Sequence, residues 1–140
     1  MKTAVIYWSG TGNTELMAKA VLEGMKGAGA DAVIMTPDQV KASEVEGFDA
    51  VALGCPAMGD EVLEEAEFEP MFQDIKGKLA GKKAALFGSY GWGDGAWMRS
   101  WESDCSQAGI SLVCDSVMCC NEPDENGIEE CKALGKKLAE

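Results

Sequence analysis

The chain contains no histidine. It therefore lacks the commonest metal ligand and the side chain most used for proton transfer near neutral pH, which counts against metal sites and His-based acid/base catalysis. Positive charge is scarce as well: 12 Lys and Arg stand against 24 Asp and Glu, a formal net charge of −12. Such a chain repels nucleic acid and anionic membrane surfaces, so neither is expected as a partner. No apolar run approaches the roughly 18 residues of a membrane span. The apolar stretch after Met1-Lys2 stops at Trp8-Ser9-Gly10, too early for a secretory signal. Six cysteines occur without one C-x-x-C spacing, and the adjacent Cys119 and Cys120 suit neither a structural bridge nor a zinc knuckle. Reduced thiols, most of them packing residues, in a cytoplasmic protein are the expectation.

What is present is a globular composition, 46% hydrophobic and 26% charged over 140 residues, enough for one domain (1–140) with a real core. Strand and helix patterns alternate from end to end. Strands are predicted at 3–8, 32–36, 48–54, 83–88 and 110–118, and helices at 13–27, about 41–46, 64–77, 95–107 and 126–139. The runs Ala50-Val-Ala-Leu-Gly54 and Ala84-Ala-Leu-Phe-Gly88 are continuously apolar, as expected of strands covered by helices on both faces. Met17, Ala18, Val21 and Met25 recur at helical spacing and read as a buried helix face. Five βα units predict an open, doubly wound parallel α/β sheet, with any ligand beyond the carboxyl ends of its strands.

Eight of the 17 glycines fall in three loops at those carboxyl ends: Gly10 and Gly12; Gly54 and Gly59; Gly88, Gly91, Gly93 and Gly95. The first loop, Ser9-Gly10-Thr11-Gly12-Asn13-Thr14, joins a strand to a helix. Its glycines allow a tight turn and the helix start directs free N–H groups at an anion, with three hydroxyls and an amide to assist. It has no Lys or Arg, so it is not a Walker loop, and Glu15 breaks the dinucleotide pattern. A neutral cradle for one terminal phosphate remains.

The second loop, Cys55-Pro56-Ala57-Met58-Gly59-Asp60-Glu61, offers a thioether for an aromatic surface. In the third, Ser89-Tyr90-Gly91-Trp92-Gly93-Asp94-Gly95, Trp92 stands between two glycines, where no adjacent side chain can bury it; that suits stacking on a flat ring. Trp97 and Trp101, spaced i and i+4, read instead as packing residues. A terminal phosphate, a flat ring and polar loop backbone describe a mononucleotide, and these features leave a flavin and a purine both open.

Together, Ser9-Gly-Thr-Gly-Asn-Thr14, Ala57-Met-Gly-Asp-Glu61 and Ser89-Tyr-Gly-Trp-Gly-Asp94 strongly resemble the short-chain flavodoxins, in order and spacing over essentially the whole chain. The resemblance implies strand order 2-1-3-4-5 and non-covalent FMN; flavodoxin is itself the standard example of that order with FMN at the switch point. It assigns the phosphate to Ser9, Gly10, Thr11, Gly12, Asn13 and Thr14, with Ser89 as an extra ligand. Trp92 takes the outer face of the isoalloxazine and Met58, flanked by Ala57, the inner one. Backbone at Tyr90, Gly91, Trp92 and Gly93 holds the pyrimidine carbonyls, Glu61 accepts the ring N3–H, and Asn121 approaches the ribityl chain. Trp8 abuts the phosphate loop. Pro56 departs from relatives that carry a phosphate-binding serine there.

The implied function is low-potential one-electron transfer between neutral semiquinone and anionic hydroquinone, able to replace ferredoxin, by a protein that is not an enzyme. A Gly59-Asp60 peptide that turns its carbonyl toward N5–H stabilises the first reduced state, and Gly59 has no Cβ to oppose the turn. Six acids between residues 60 and 69 (Asp60, Glu61, Glu64, Glu65, Glu67 and Glu69) disfavour the negative charge that the second electron brings. Ferredoxin-dependent reductases and oxidoreductases with basic docking surfaces are the expected partners of a monomer. Three other readings compete. A flavin reductase needs room for a second ligand beside the ring, and a low-molecular-weight phosphatase built on Cys55 needs Arg where Glu61 stands. An activator protein for one dedicated partner fits less well than a general carrier.

Overall fold

The computed structural model describes Met1–Glu140 without interruption. Its strands are β1 (Lys2–Tyr7), β2 (Asp31–Met35), β3 (Ala50–Gly54), β4 (Lys83–Tyr90), β5 (Ser111–Leu112) and β6 (Val117–Cys120). Its α-helices are α1 (Asn13–Gly27), α2 (Ala42–Val45), α3 (Phe68–Ile75), α4 (Ala96–Gln107) and α5 (Glu125–Leu138). All strand pairs are parallel, in the order β2-β1-β3-β4-β5, with β6 also on β4.

Side chains along the central strands alternate between two buried layers, because successive residues of a strand point to opposite faces. Val51, Leu53, Ala84 and Leu86 join Phe68, Phe72, Trp97 and Trp101 on the α3/α4 face. Ala50, Ala52, Ala85 and Phe87 join Met17, Val21, Met25, Cys131 and Leu134 on the α1/α5 face. The methionine face of α1 and the packing roles of Trp97 and Trp101 are thus as expected. The first face is filled by aromatics, Trp101 meeting Phe68 and Phe72 edge-on at 5.4 and 6.1 Å between ring centroids. On the second, α1 and α5 lie against each other: a Cβ on Gly24 would strike the Lys132 carbonyl, and one on Gly135 the Val21 carbonyl.

Two elements differ from the sequence reading. The strand expected at 110–118 is two pieces, β5 and β6, laid end to end along β4. Between them Val113 still donates to Ala84, but Ser116 turns its hydroxyl onto Glu102 Oε2 at 2.7 Å and the ladder lapses. The helix expected at 64–77 begins only at Phe68 and passes into a 3-10 turn at Lys76–Leu79. Its start is delayed by Glu64, whose buried carboxylate takes the N–H groups of Ala66, Glu67 and Phe68 at 2.9, 2.7 and 2.7 Å. The helix expected at about 41–46 is present, as the single turn Ala42–Val45.

Candidate functional site

The three glycine-bearing loops converge beyond the carboxyl ends of β1, β3 and β4. They enclose a cleft of about 230 Å³ lined by Trp8, Gly10, Thr11, Asn13, Thr14, Pro56, Ala57, Met58, Ser89, Tyr90, Gly91 and Asn121. β1 and β4 flank β3, so the loops following all three must meet.

The first loop is held from within. Gly12 sits at φ 98°, a left-handed conformation that favours glycine, and marks the start of α1. Ser9 Oγ accepts from the Gly12 and Glu15 N–H groups at 3.1 and 3.2 Å, which fixes the turn and leaves the Ser9 hydroxyl proton free to donate. The N–H groups of Thr11, Asn13 and Thr14 have no partner within the protein. Thr14 is buried, and its hydroxyl shares a 2.8 Å hydrogen bond with Ser89 from the third loop. Unpaired N–H groups and hydroxyls at a helix start form an anion site with no ammonium or guanidinium in its lining. The one lysine nearby in sequence, Lys19, pairs with Glu15 at 3.2 Å.

In the second loop, Met58 accepts from Glu61 N–H at 2.8 Å and donates to Val62 at 2.9 Å, making a tight turn with Gly59 and Asp60 exposed at its tip. A Cβ at Gly59 would meet nothing within 4 Å. Glu61 lies at φ 53°, a left-handed conformation uncommon for a residue with a side chain. Its carboxylate rests against Gly93, where a Cβ would collide with it, and its Oε1 is buried without a hydrogen-bond partner. The loop base is tied to α4 by Trp97 Nε1, which donates to the Cys55 carbonyl at 3.1 Å. Trp92 is 62% exposed, as its glycine neighbours require. Asn121, at φ 60°, closes the cleft from the end of β6 and donates its N–H to the Tyr90 carbonyl at 2.7 Å.

Of the residues singled out from sequence, Ser9, Gly12, Gly59, Asp60, Glu61, Trp92 and Gly93 surround this cleft without lining it; the other eleven line it directly. Glu61 also lines a neighbouring groove of about 400 Å³, with Glu65, Glu69 and Asp104 as its other carboxylates. Two acids of the 60–69 run do not act as loose surface charge. Glu64 is the buried cap already described, its carboxyl taken below the usual range: burial pushes it up, but the N–H groups of Phe68, Glu67 and Ala66 together outweigh that. Glu67 Oε2 accepts the Trp8 indole N–H at 3.0 Å, and the Trp8 ring lies over Gly10. Trp8 at a strand's end has a signal in the sequence; its partner 59 residues away has none. Cys55 is no nucleophile: burial pushes its thiol up to about 12, and its sulfur accepts the Glu64 N–H at 3.4 Å.

An open parallel sheet with an anion cradle and an aromatic-bearing loop at its switch point defines the class: a doubly wound α/β mononucleotide-binding protein. The Flavodoxin family matches residues 5–135. The chain is 48% identical to the flavodoxin of Clostridium beijerinckii over 135 residues, covering 96% of this chain and 97% of that one. It is 44% identical to the flavodoxin of Megasphaera elsdenii, covering 96% of each. The solution structure of two-electron reduced Megasphaera elsdenii flavodoxin superposes with a TM-score of 0.90 at 42% identity over 98% of both chains. A flavodoxin from the domain Archaea gives the same TM-score at 27% identity, over 99% of this chain and 96% of its own. This chain belongs to the flavodoxin family and is an electron-transfer flavoprotein, not an enzyme. FMN is the family's cofactor. The donor set fits it: unpaired N–H groups and hydroxyls for the phosphate, and on Glu61 a buried carboxylate oxygen lacking a donor.

Proposed function

We propose that residues 1–140 act as a single FMN-binding domain and a low-potential one-electron carrier, working between the neutral semiquinone and anionic hydroquinone and able to replace ferredoxin. The observation that carries this reading is the Glu61 carboxylate. Its Oε1 is buried beside Gly93 without a hydrogen-bond partner, and the neighbouring cleft holds a cation-free anion cradle. A ligand with a phosphate at one end and an N–H donor on a flat ring at the other satisfies both.

In this reading Ser9, Gly10, Thr11, Gly12, Asn13 and Thr14 hold the phosphate, with Ser89 beside Thr14 and Pro56 against the cradle. Met58, next to Ala57, covers one ring face and Trp92 the other. Glu61 takes the N3–H, Tyr90, Gly91 and Gly93 supply backbone to the pyrimidine edge, and Asn121 faces the ribityl chain. The Gly59-Asp60 tip is exposed, with open space around Gly59, and its carbonyl would be the group that turns toward N5 of the bound ring. Bound FMN supplies the electron storage, and the chain supplies the field around it. Asp60 and Glu65 are exposed and Glu69 is half-buried, all on the segment that follows Met58. At about 12 Å in water-like dielectric each opposes added negative charge by roughly 0.3 kcal/mol. A few together shift a one-electron couple by tens of millivolts, about 59 mV corresponding to a tenfold change. The apolar covering by Met58 and Trp92 acts in the same direction.

The same carboxylates, with the acidic groove of Glu61, Glu65, Glu69 and Asp104 beside them, favour ferredoxin-dependent reductases and oxidoreductases with basic docking surfaces. A cytoplasmic monomer is the form proposed. No helix is long and apolar enough to cross a membrane. The test is a spectrum recorded during stepwise anaerobic dithionite reduction of the FMN-loaded protein. A blue intermediate before bleaching is expected; direct bleaching without it overturns the one-electron assignment.

A further inference from the structure

Away from the cleft, two sulfurs are arranged for chemistry of their own. Cys119 on β6 and Cys131 on α5 are both buried in the α1/α5 core, at 8% and 0% exposure. The Cys119 sulfur points at the helix: it lies 2.7 Å from where a Cβ on Gly127 would stand. Gly127 is one helical turn before Cys131, so both belong to the same face of α5. Helical side chains lean back toward the N-terminus, so the Cys131 side chain reaches over Gly127 toward the Cys119 sulfur.

The pair is asymmetric. The neighbouring Cys131 thiol lowers the Cys119 thiol below its ordinary value against the opposing effects of burial, Glu130 and Asp124. The same contact and then burial raise the Cys131 thiol. Access is asymmetric too. A groove of about 240 Å³ bordered by Cys119, Cys120 and Gly127 reaches Cys119, whereas Cys131 is sealed. Glu122, Asp124 and Glu130 line that groove, which disfavours an anionic oxidant such as glutathione disulfide and admits a small neutral one.

We propose that Cys119 and Cys131 form a peroxide-oxidisable dithiol, Cys119 the attacking and Cys131 the resolving sulfur, that closes into an intramolecular disulfide between β6 and α5. The Cys119 thiolate attacks one oxygen of hydrogen peroxide; the O–O bond breaks, hydroxide leaves, and a sulfenic acid forms. The Cys131 sulfur then attacks the Cys119 sulfur, the S–O bond breaks, and water leaves with the Cys131 proton. Two thiols are oxidised, one peroxide is reduced to two waters, and one disulfide results. Exposed Cys120 is not the resolving partner. It points to the opposite face of β6, and joining it to Cys119 would break the pairing of both residues with Ser89 and Tyr90.

The experiment treats the FMN-loaded protein with hydrogen peroxide, alkylates the remaining thiols under denaturing conditions, and maps the peptides. The thiol count is expected to fall from six to four, with a linked peptide joining Cys119 to Cys131 and full recovery in dithiothreitol. Cys120→Ser is expected to form the same bridge, and Cys131→Ser to accumulate a sulfenic acid on Cys119 that dimedone traps. A bridge through Cys120, within or between molecules, overturns the assignment. So do six thiols surviving in wild-type protein. The readout is the thiols themselves, so it is independent of the electron-carrier reading.

Discussion

Thr14 and Ser89, 75 residues apart in the chain, share a buried hydroxyl–hydroxyl hydrogen bond of 2.8 Å that joins the first turn of α1 to the end of β4. It links the anion cradle to the loop bearing Trp92. Replacing Ser89 by Ala removes one donor and leaves Thr14 with only the 3.4 Å contact from the Ser89 N–H. A net loss of about 1 kcal/mol corresponds to a roughly fivefold higher Kd for FMN. Flavin-fluorescence quenching measures it, and an unchanged Kd removes Ser89 from the phosphate site.

The two kinds of tryptophan predict opposite outcomes. Trp92→Ala takes away a side chain that is mostly in water, so stability stays within about 0.5 kcal/mol while FMN binding weakens by roughly 3- to 10-fold. Trp101→Ala empties a core position beside Phe68 and Phe72 and costs about 3–5 kcal/mol. Urea unfolding of the apoproteins separates the two.

Glu64 sets an acid limit on the fold. Its carboxyl lies below the usual carboxylate range when folded, so the ionised form is favoured by the native state. That stability is fully present above the ordinary carboxylate value near 4.5 and is lost as pH falls through the lower folded value. Glu64→Gln is expected to lower stability at pH 7 by about 2 kcal/mol, since an amide oxygen replaces an ionised acceptor of three N–H groups. Its unfolding free energy should also vary less between pH 5 and 3 than that of the wild type, which thermal melts across that range would show.

Gly59→Ala adds a methyl group in open space, so the fold and FMN affinity should change little. A carbonyl turned toward N5–H asks more of the backbone at residue 59, where a Cβ restricts the choice. The expected effect is a selective fall in the first reduction potential, by tens of millivolts for about 1 kcal/mol. Spectroelectrochemistry giving an unchanged first potential would remove the peptide turn from the mechanism.

Gly135→Ala places a methyl group on the Val21 carbonyl and forces α5 off α1, a loss of about 1–3 kcal/mol. Gly27→Ala, at the end of α1 with nothing nearby, should gain up to about 1 kcal/mol by restricting the unfolded chain. Comparing their urea midpoints tests helix contact against backbone entropy.

The parts of the fold readable from sequence were those with a strong local pattern. The apolar runs of β1, β3 and β4 and the spaced Met17, Val21 and Met25 of α1 announce their own environment, and the three glycine loops mark the site because strand ends must meet there. What eluded the pattern depends on partners distant in the chain. The break between β5 and β6 is held by Ser116 on Glu102, and nothing near residue 116 advertises it. Glu64 looks like one more acid on a solvated helix, yet its carboxylate folds back on the following turn and delays α3. Ser9 reads as a phosphate ligand from its motif, while its hydroxyl oxygen first serves the turn's own backbone.

The lapse at Cys114–Ser116 has a consequence beyond topology. An open parallel sheet leaves hydrogen-bonding groups unused along its outer strands, where a stray chain can dock and extend it. On the β5/β6 side that margin is only two residues long in one piece and four in the other, with Ser116 turned onto Glu102 between them. An intruding strand would lose its footing there after a few rungs, so the irregularity that hid this stretch from pattern reading also guards that one edge against growing sideways.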